Sequence, residues 1–422
     1  MHCPQITSRQ WLPGLLLFGL IGCAAPPKVL PHAAHAAESV RAASPPVAGN
    51  KVILLQDGRG TYDAMFTAIA SARDHINMEM YIFDDDEAGE RFANALIAKQ
   101  REGVQVNLVR DSVGTMRTNK QFFERMQEAG IAVLEYNPIN PLAARKDWDL
   151  NARDHRKLLI VDGRQAILGG VNVSGVYSSG SSRPSATKRS GPDLPWRDTD
   201  LRIEGPVVAE FQKLFMQTWG EQHGPTPAQR RYFPPLRPIG KDSVSALGRS
   251  PDGSHSLIYP ALIAAIAGAQ REVWLTNAYF APDPQLVAAL TAAATRGVDV
   301  KLLLPGASDS WLVFHAGRAH YDELLRGGVQ IFERRNALLH AKTTLIDGAW
   351  SAIGSTNLDW RSFLHNQELD AVILGPEFGG QMRTTFQRDL AASNPVTLEQ
   401  WQRRPLDQRL KETLGRLWEY WL

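Results

Sequence analysis

The sequence predicts an α/β fold built twice: two pseudo-symmetric α/β domains, each a mostly β sheet flanked by helices, sharing one site between them. Three observations predict it. Helical and strand periods alternate along most of the chain, as in α/β domains. The order of segments in the first half returns in the second. The stretch HRKLLIVDG at 155–163 also recurs as HAKTTLIDG at 340–348, with His, Lys and Asp at the same spacing. A two-copy repeat of this kind points to paired units that bury a core together.

In the first half, the spacing predicts a helix over 62–75 and a strand over 76–83, with Asp84, Asp85 and Asp86 at its exit. Helix 87–101, strand 104–109, helix 120–129 and strand 131–136 follow. In the second half, helix 260–270, strand 273–280 and helix 284–295 repeat this order. The run Gly297-Val298-Asp299-Val300 answers Gly103-Val104-Gln105-Val106, and Gly328-Val329-Gln330-Ile331 answers Gly130-Ile131-Ala132-Val133. The expected layout is a leader (1–22), a flexible tether rich in Ala, Pro and His (23–50), a first domain (51–221), a linker (222–242), a second domain (243–400) and a C-terminal amphipathic helix (401–422). In that last segment Leu406, Leu410, Leu414, Leu417 and Trp421 recur at helical steps. Packing of this stripe on its own domain is preferred to lying on a membrane surface. Residues 173–197 are polar and patternless; so long a loop either serves the site or is disordered.

The 422 residues suffice for two cores or one large duplicated core. A net charge of +2 is too small to announce a nucleic-acid partner. At the N-terminus, Arg9 precedes an apolar run from Trp11 to Ile21, too short to span a membrane comfortably. Leu20-Ile21-Gly22-Cys23 resembles a bacterial lipobox, which implies that Cys23 becomes the first mature residue and carries lipid. Ala24 after it resembles sorting to the outer membrane. Cys3 lies in the leader, so an acylated Cys23 leaves no thiol for a disulfide or a metal.

On a strand, residues two apart share a face, so His155 lies beside Lys157 and His340 beside Lys342. Arg156 and Leu158, or Ala341 and Thr343, face the other way. Turns follow at Asp162-Gly163 and Asp347-Gly348, then strands ending at Gly169-Gly170-Val171-Asn172 and Gly354-Ser355-Thr356-Asn357. A strand–turn–strand bringing His, Lys and Asn to one spot suits an anion such as phosphate. The copies differ in one place: Gly170 stands where the second has Ser355, leaving one fewer hydroxyl donor.

The paired H-x-K-x₄-D motifs resemble the HKD motifs of the phospholipase D superfamily, over about residues 51–400. Within it the resemblance is to bacterial cardiolipin synthases without transmembrane helices, supported by Tyr81-Ile82-Phe83-Asp84-Asp85-Asp86, Tyr279-Phe280-Ala281-Pro282-Asp283, Arg296–Pro305 and Asn366-Gln367-Glu368. The resemblance implies that both motifs form one site, with His155 as nucleophile and His340 as general acid. Lys157, Lys342, Asn172 and Asn357 would bind the nonbridging phosphate oxygens. Matching Gly205-Pro206 to Gly375-Pro376 sets Asp198 opposite Glu368 and Asp200 opposite Asp370; Asp198 and Glu368 resemble the acids that orient the histidines. Asp162 and Asp347 complete the catalytic motif, although their turn positions suggest a structural or network role.

The reaction implied is phosphatidyl transfer through a covalent phosphohistidine, with no cofactor or metal; His315 and His320 read as helix-surface residues. Phosphatidylglycerol as acceptor gives cardiolipin, and water gives phosphatidic acid. The partners implied are phospholipids, phosphatidylglycerol and possibly phosphatidylethanolamine, met at a membrane through the lipid anchor, on the periplasmic face of the outer membrane. Phe280 and the run Trp311-Leu312-Val313-Phe314 are candidate acyl-chain contacts. The alternatives are a phospholipase D, a nuclease of the same fold using Arg183, Lys188 and Arg189 of the polar loop, and a non-enzymatic membrane-binding module.

Overall fold

A computed structural model describes residues 30–140, 151–178, 194–250, 253 and 255–419. The leader with Cys23, the loop segment with Arg183, Lys188 and Arg189, and Trp421 lie outside the described residues. The first half runs α1 (Leu30–Ala43), β1 (Val47–Gln56), α2 (Asp57–Ser71), β2 (His75–Met80), α3 (Glu87–Arg101), β3 (Gln105–Asp111), α4 (Lys120–Glu128) and β4 (Ala132–Tyr136). It closes with β5 (Lys157–Val161), β6 (Gln165–Gly169), β7 (Trp196–Arg197), β8 (Thr199–Glu204) and α5 (Val208–Glu221).

The second half begins β9 (Asp242–Leu247), α6 (Ile258–Gly268), β10 (Glu272–Thr276), β11 (Phe280–Ala281), α7 (Pro284–Thr295), β12 (Asp299–Pro305), α8 (Trp311–Arg318), α9 (Tyr321–Arg326) and β13 (Gln330–Arg334). It continues β14 (Leu338–Leu339), β15 (Thr343–Ile346), β16 (Trp350–Gly354), β17 (Leu358–Asp359), α10 (Trp360–Leu364) and β18 (Asp370–Leu374). The chain then forms α11 (Pro376–Ala391), β19 (Ser393–Val396), α12 (Leu398–Gln402) and α13 (Leu406–Leu417).

Local chemistry sets many of these limits. Asp86 caps α3 by accepting from the Ala88 and Gly89 amides, and Asp283 caps α7, which opens on Pro284. Gly103 and Gly297 have φ near +90°, the left-handed turn that ends a helix before the next strand. Strands β2 and β5 are buried along their whole length; β5 carries the apolar run Leu158–Val161, whereas β2 alternates Ile76, Met78 and Met80 with buried His75, Asn77 and Glu79.

The two halves form one sheet. Its order is β19-β13-β12-β10-β15-β16-β18-β9-β1-β8-β6-β5-β2-β3-β4. Outward from the centre, β1-β8-β6-β5-β2-β3-β4 matches β9-β18-β16-β15-β10-β12-β13, so a pseudo-twofold axis passes between β1 and β9, which pair antiparallel. A single apolar cluster crosses that axis, joining Leu158, Phe211 and Phe215 to Trp274, Leu345 and Phe386. Separate clusters lie under α2–α4 and under α6, α7 and α9.

The expected tether is corrected in part. Residues 30–43 are helical, Val40 packs with Leu247, Leu257 and Ile258, and Ser44 Oγ donates to Ala246 O at 2.7 Å. Its alanines favour a helix, but its docking partners come from the second half and leave no local pattern. Strand pairing begins at Val47 rather than 51, and between Glu221 and Asp242 there is no helix or strand.

The C-terminal segment is two helices separated around Pro405 rather than one. Helix α13 packs on α8 through Gly415 and Glu412, not through its leucines, which remain exposed. His320 is also corrected: it is buried, with Nε2 2.8 Å from Glu419. Among the described residues no helix is long and apolar enough to cross a membrane.

Candidate active site

Each HxK sequence lies where a short lead-in enters a hairpin, β5–β6 in the first half and β15–β16 in the second. The two lead-ins are clamped by the opposite half. The His155 amide donates to Gln367 O at 2.9 Å, and the His340 amide donates to Arg197 O at 2.8 Å. The next residue in each clamping strand is an acid. His155 Nδ1 is 3.0 Å from both oxygens of Glu368, and His340 Nδ1 is 2.7 Å from Asp198 Oδ2. The acid of each half therefore orients the histidine of the other. Its hydrogen bond to Nδ1 leaves Nε2 as the ring nitrogen not held by a carboxylate.

Gly170 and Ser355 take different parts in this arrangement. A Cβ on Gly170 would fall 2.2 Å from Asp198 Oδ1, so only glycine lets that carboxylate approach. In the second copy Ser355 Oγ donates to Glu368 Oε2 at 2.5 Å and accepts from the Leu369 amide at 3.0 Å. The hydroxyl missing from the first copy leaves the space that Asp198 fills.

Both histidines and both lysines are almost completely buried. Lys342 Nζ lies 3.0 Å from His340 Nε2 and donates to His340 O at 2.6 Å; Lys157 donates to His155 O. Burial, reinforced by Lys157, Lys342 and His340, pushes His155 well below the usual imidazole range, so it is neutral near pH 7. Burial and Lys342 also lower His340, with Asp198 opposing them. Asp198 is held below the usual carboxylate range: burial works against its charge, but His340 and Lys342 outweigh it. Glu368 moves the other way, raised by burial despite Lys157 and its hydroxyl and amide donors. Burial lowers Lys157 to about 7 and Lys342 to about 8. An anion entering here would favour the protonated form of both.

A family model described as "Cardiolipin synthase, PLD-like domain" matches residues 65–178 and 262–390. The chain belongs to this PLD-like cardiolipin synthase family. It is 32% identical over 377 residues to a cardiolipin synthase of Geobacillus sp. (strain WCH70), covering 89% of this chain and 73% of the relative. It is 33% identical over 372 residues to the major cardiolipin synthase of Bacillus subtilis (strain 168), covering 87% of this chain and 74% of that one. In fold it is similar to a phosphatidylserine synthase from Haemophilus influenzae Rd KW20, with a TM-score of 0.69 and 13% identity over 92% of this chain and all of that one. It is also similar to a polyphosphate kinase from Porphyromonas gingivalis, with a TM-score of 0.54 and 14% identity over 87% of this chain and 52% of that one.

The structure sorts the remaining PLD-like motif residues by location. Asn172 is fixed in the wall, its Oδ1 accepting from the Ile82 amide at 3.0 Å and its Nδ2 donating to Tyr177 OH at 3.0 Å. Asn357 is buried with no partner for its Oδ1 among the described residues. Asp162 and Asp347 stand apart from the catalytic cluster, at the far turns of the hairpins, with φ of 52° and 51°. Asp162 accepts from the amides of Arg73, Asp74 and His75, and Asp347 from those of Gln270, Arg271 and Glu272. They fix the start of the neighbouring strand, the structural role that their turn positions suggest, and do not reach the histidine cluster. Asp200 and Asp370 brace the exits of β6 and β16 through Thr61 and Thr356.

Several wall residues escaped the sequence reading. The Tyr81 ring lies 4.9 Å from His155, while Tyr279, Tyr177 and Trp196 surround His340 at 6.0, 5.7 and 5.1 Å. Matching tyrosines just after β2 and β10 were the available signal. Regular pairing of β2 ends at Met80, short of the expected strand end, as the chain turns Tyr81 into the site. Phe280 is buried core and cannot line an entrance, whereas Trp311 is half exposed.

Proposed function

We propose that this chain synthesises cardiolipin by transferring a phosphatidyl group between two phosphatidylglycerol molecules. The observation that carries the reading is the crossed pair of buried imidazoles, each held by the other half's acid and flanked by an ammonium group. In the first step His155 Nε2 attacks the phosphorus. The bond to the headgroup glycerol oxygen breaks, and His340 gives that oxygen a proton. Nδ1 of the phosphorylated His155 keeps its bond to Glu368, which balances the charge on the ring. In the second step His340 takes the proton of a second headgroup hydroxyl. That oxygen attacks phosphorus, the P–N bond breaks, and both histidines are restored. Lys157 and Lys342 favour the charge on the nonbridging oxygens, and Asn172 and Asn357 would each offer them an amide N–H.

The different carboxylates support this division of labour. The ionised Asp198 keeps His340 the more basic ring, suited to exchanging protons, while the neutral His155 is suited to attack. Residues 1–22 would be removed and Cys23 lipidated, holding the two domains at the periplasmic face of the outer membrane. The test offers the full chain phosphatidylglycerol, phosphatidylethanolamine and single-stranded DNA, with products read by mass spectrometry. Cardiolipin and glycerol are expected from phosphatidylglycerol, with a phosphatidyl adduct on His155 and no product from His155→Ala. Phosphatidic acid as the sole product, or cut DNA, would sink the reading.

A further inference from the structure

Helix α13 is amphipathic, but its apolar stripe faces away from the protein. Leu406 and Leu417 are 79% and 71% exposed, and Leu410, Leu414 and Trp418 are also exposed. The face turned inward is small and polar. A Cβ on Gly415 would lie 2.5 Å from Ala316 N, so the backbones of α13 and α8 nearly touch. Glu412 meets Arg404 at 2.8 Å and Arg318 at 4.0 Å. These contacts hold the helix with its leucines outward. A contiguous exposed apolar strip of this kind marks an interaction surface.

Two further observations identify what covers it. Helix α8 begins at Trp311, itself 52% exposed, two residues after Asp309. Asp309 accepts from Tyr279 OH at 2.7 Å, and the Tyr279 ring lies against His340. The α8–α13 pair thus starts at the rim of the site. On the other side of the pseudo-twofold, exposed Met116 lies on the loop after β3, whose Gly114 packs against Tyr81 beside His155. The second observation is charge: exposed Arg409 and Arg416 follow one edge of the leucine stripe, while on the other edge Lys411 pairs with Asp407 at 3.0 Å. Long cationic side chains on the flanks of an apolar helix face suit the interface of an anionic bilayer.

We infer that α13, together with Trp311 and Met116 at the rim, lies in the surface of an anionic phospholipid bilayer and brings the mouth of the site to its substrate. The inference rests on the proposed lipid reaction, but its test separates the two. The mature chain from residue 23 carrying Cys23→Ser, so that neither the apolar leader nor a thiol-linked lipid holds it, is floated with phosphatidylcholine vesicles with and without phosphatidylglycerol. The same is done with Leu410→Glu/Leu414→Glu added. The parent should float with the anionic vesicles, and the variant should lose apparent affinity by about tenfold or more. Turnover of a monomeric short-chain phosphatidylglycerol should be unchanged, which also reports folding. If the double variant misfolds, Leu417→Ser/Trp418→Ser provides the same reading. Equal flotation of parent and variant overturns the inference. So does a lipid-free dimer that the variant converts to monomer, since the strip would then join two copies. A flotation difference without turnover of any phospholipid leaves the docking surface standing and removes the lipid reaction.

Discussion

Asp198 and Glu368 occupy matching positions but hold charge differently, and this asymmetry makes the two histidines unequal. Asp198→Asn should therefore cost the most, because it removes the charge that supports a protonated His340. Loss of the comparable carboxylate in a Ser-His-Asp site costs about 10⁴-fold in turnover, and a fall on the order of 10³–10⁴ is expected here. Glu368→Gln should cost less, a ranking checked by steady-state rates on phosphatidylglycerol. Gly170→Ala forces a methyl group to within 2.2 Å of Asp198 Oδ1 and should lower turnover at least about tenfold through displacement of that acid. The pH dependence follows from the same environments. His155 must be neutral, and its lowered value puts the acidic limb of kcat/KM below the ordinary imidazole range of about 6.5. His340, Lys157 and Lys342 must be protonated. His340, lowered by burial and Lys342, loses its proton first, so kcat/KM should begin to fall below the ordinary imidazole range and fall further as the lysines lose theirs through about 7 to about 8. Bound phosphate raises both lysines, which should move the alkaline limb of kcat to higher pH. Coincident limbs for kcat and kcat/KM would remove the lysines from phosphate binding.

At the scale of elements, the hairpin that carries each HxK sequence is pinned at both ends by different means. Its entrance is held by the opposite half. Its turn is held by Asp162 or Asp347, each accepting from three consecutive amides at the start of β2 or β10. Asp162→Ala and Asp347→Ala should each destabilise the protein by about 1–3 kcal/mol, by loss of charge-assisted bonds and of a side chain tolerant of the left-handed turn. Urea unfolding checks this, with the two losses expected to be similar. The hairpins were legible in the sequence because a short apolar run, an Asp-Gly turn and a second short run are local, and the same spacing occurs twice. Helices 87–101 and 284–295 were equally legible, since capping aspartates and an apolar stripe announce them. Helix α1 and the outward leucines of α13 were not: the amphipathic pattern says that a helix has two faces, but not which one the protein covers.

Across the whole molecule, the continuous sheet and the apolar cluster that spans it couple the halves. Buried Arg197 reaches from β7 to Asp389 on α11, with Nη2 at 2.7 Å from Oδ2. Breaking this pair leaves a buried carboxylate without its cation, so Arg197→Met should cost about 3–5 kcal/mol. Unfolding should nonetheless remain a single transition by tryptophan fluorescence and circular dichroism alike. Two separated transitions would contradict the shared core.

By itself the sequence determined the duplication, the register that places His, Lys and Asn together, and the two carboxylates that serve the site. All of these are written in spacings that survive copying. Only the tertiary structure decided that the acids serve the histidines crosswise, that both lysines sit nearly dry, and that the last long helix turns its leucines outward. Each of these depends on groups some 140 to 210 residues apart, or on which face a neighbour covers, and short-range periodicity carries no term for either.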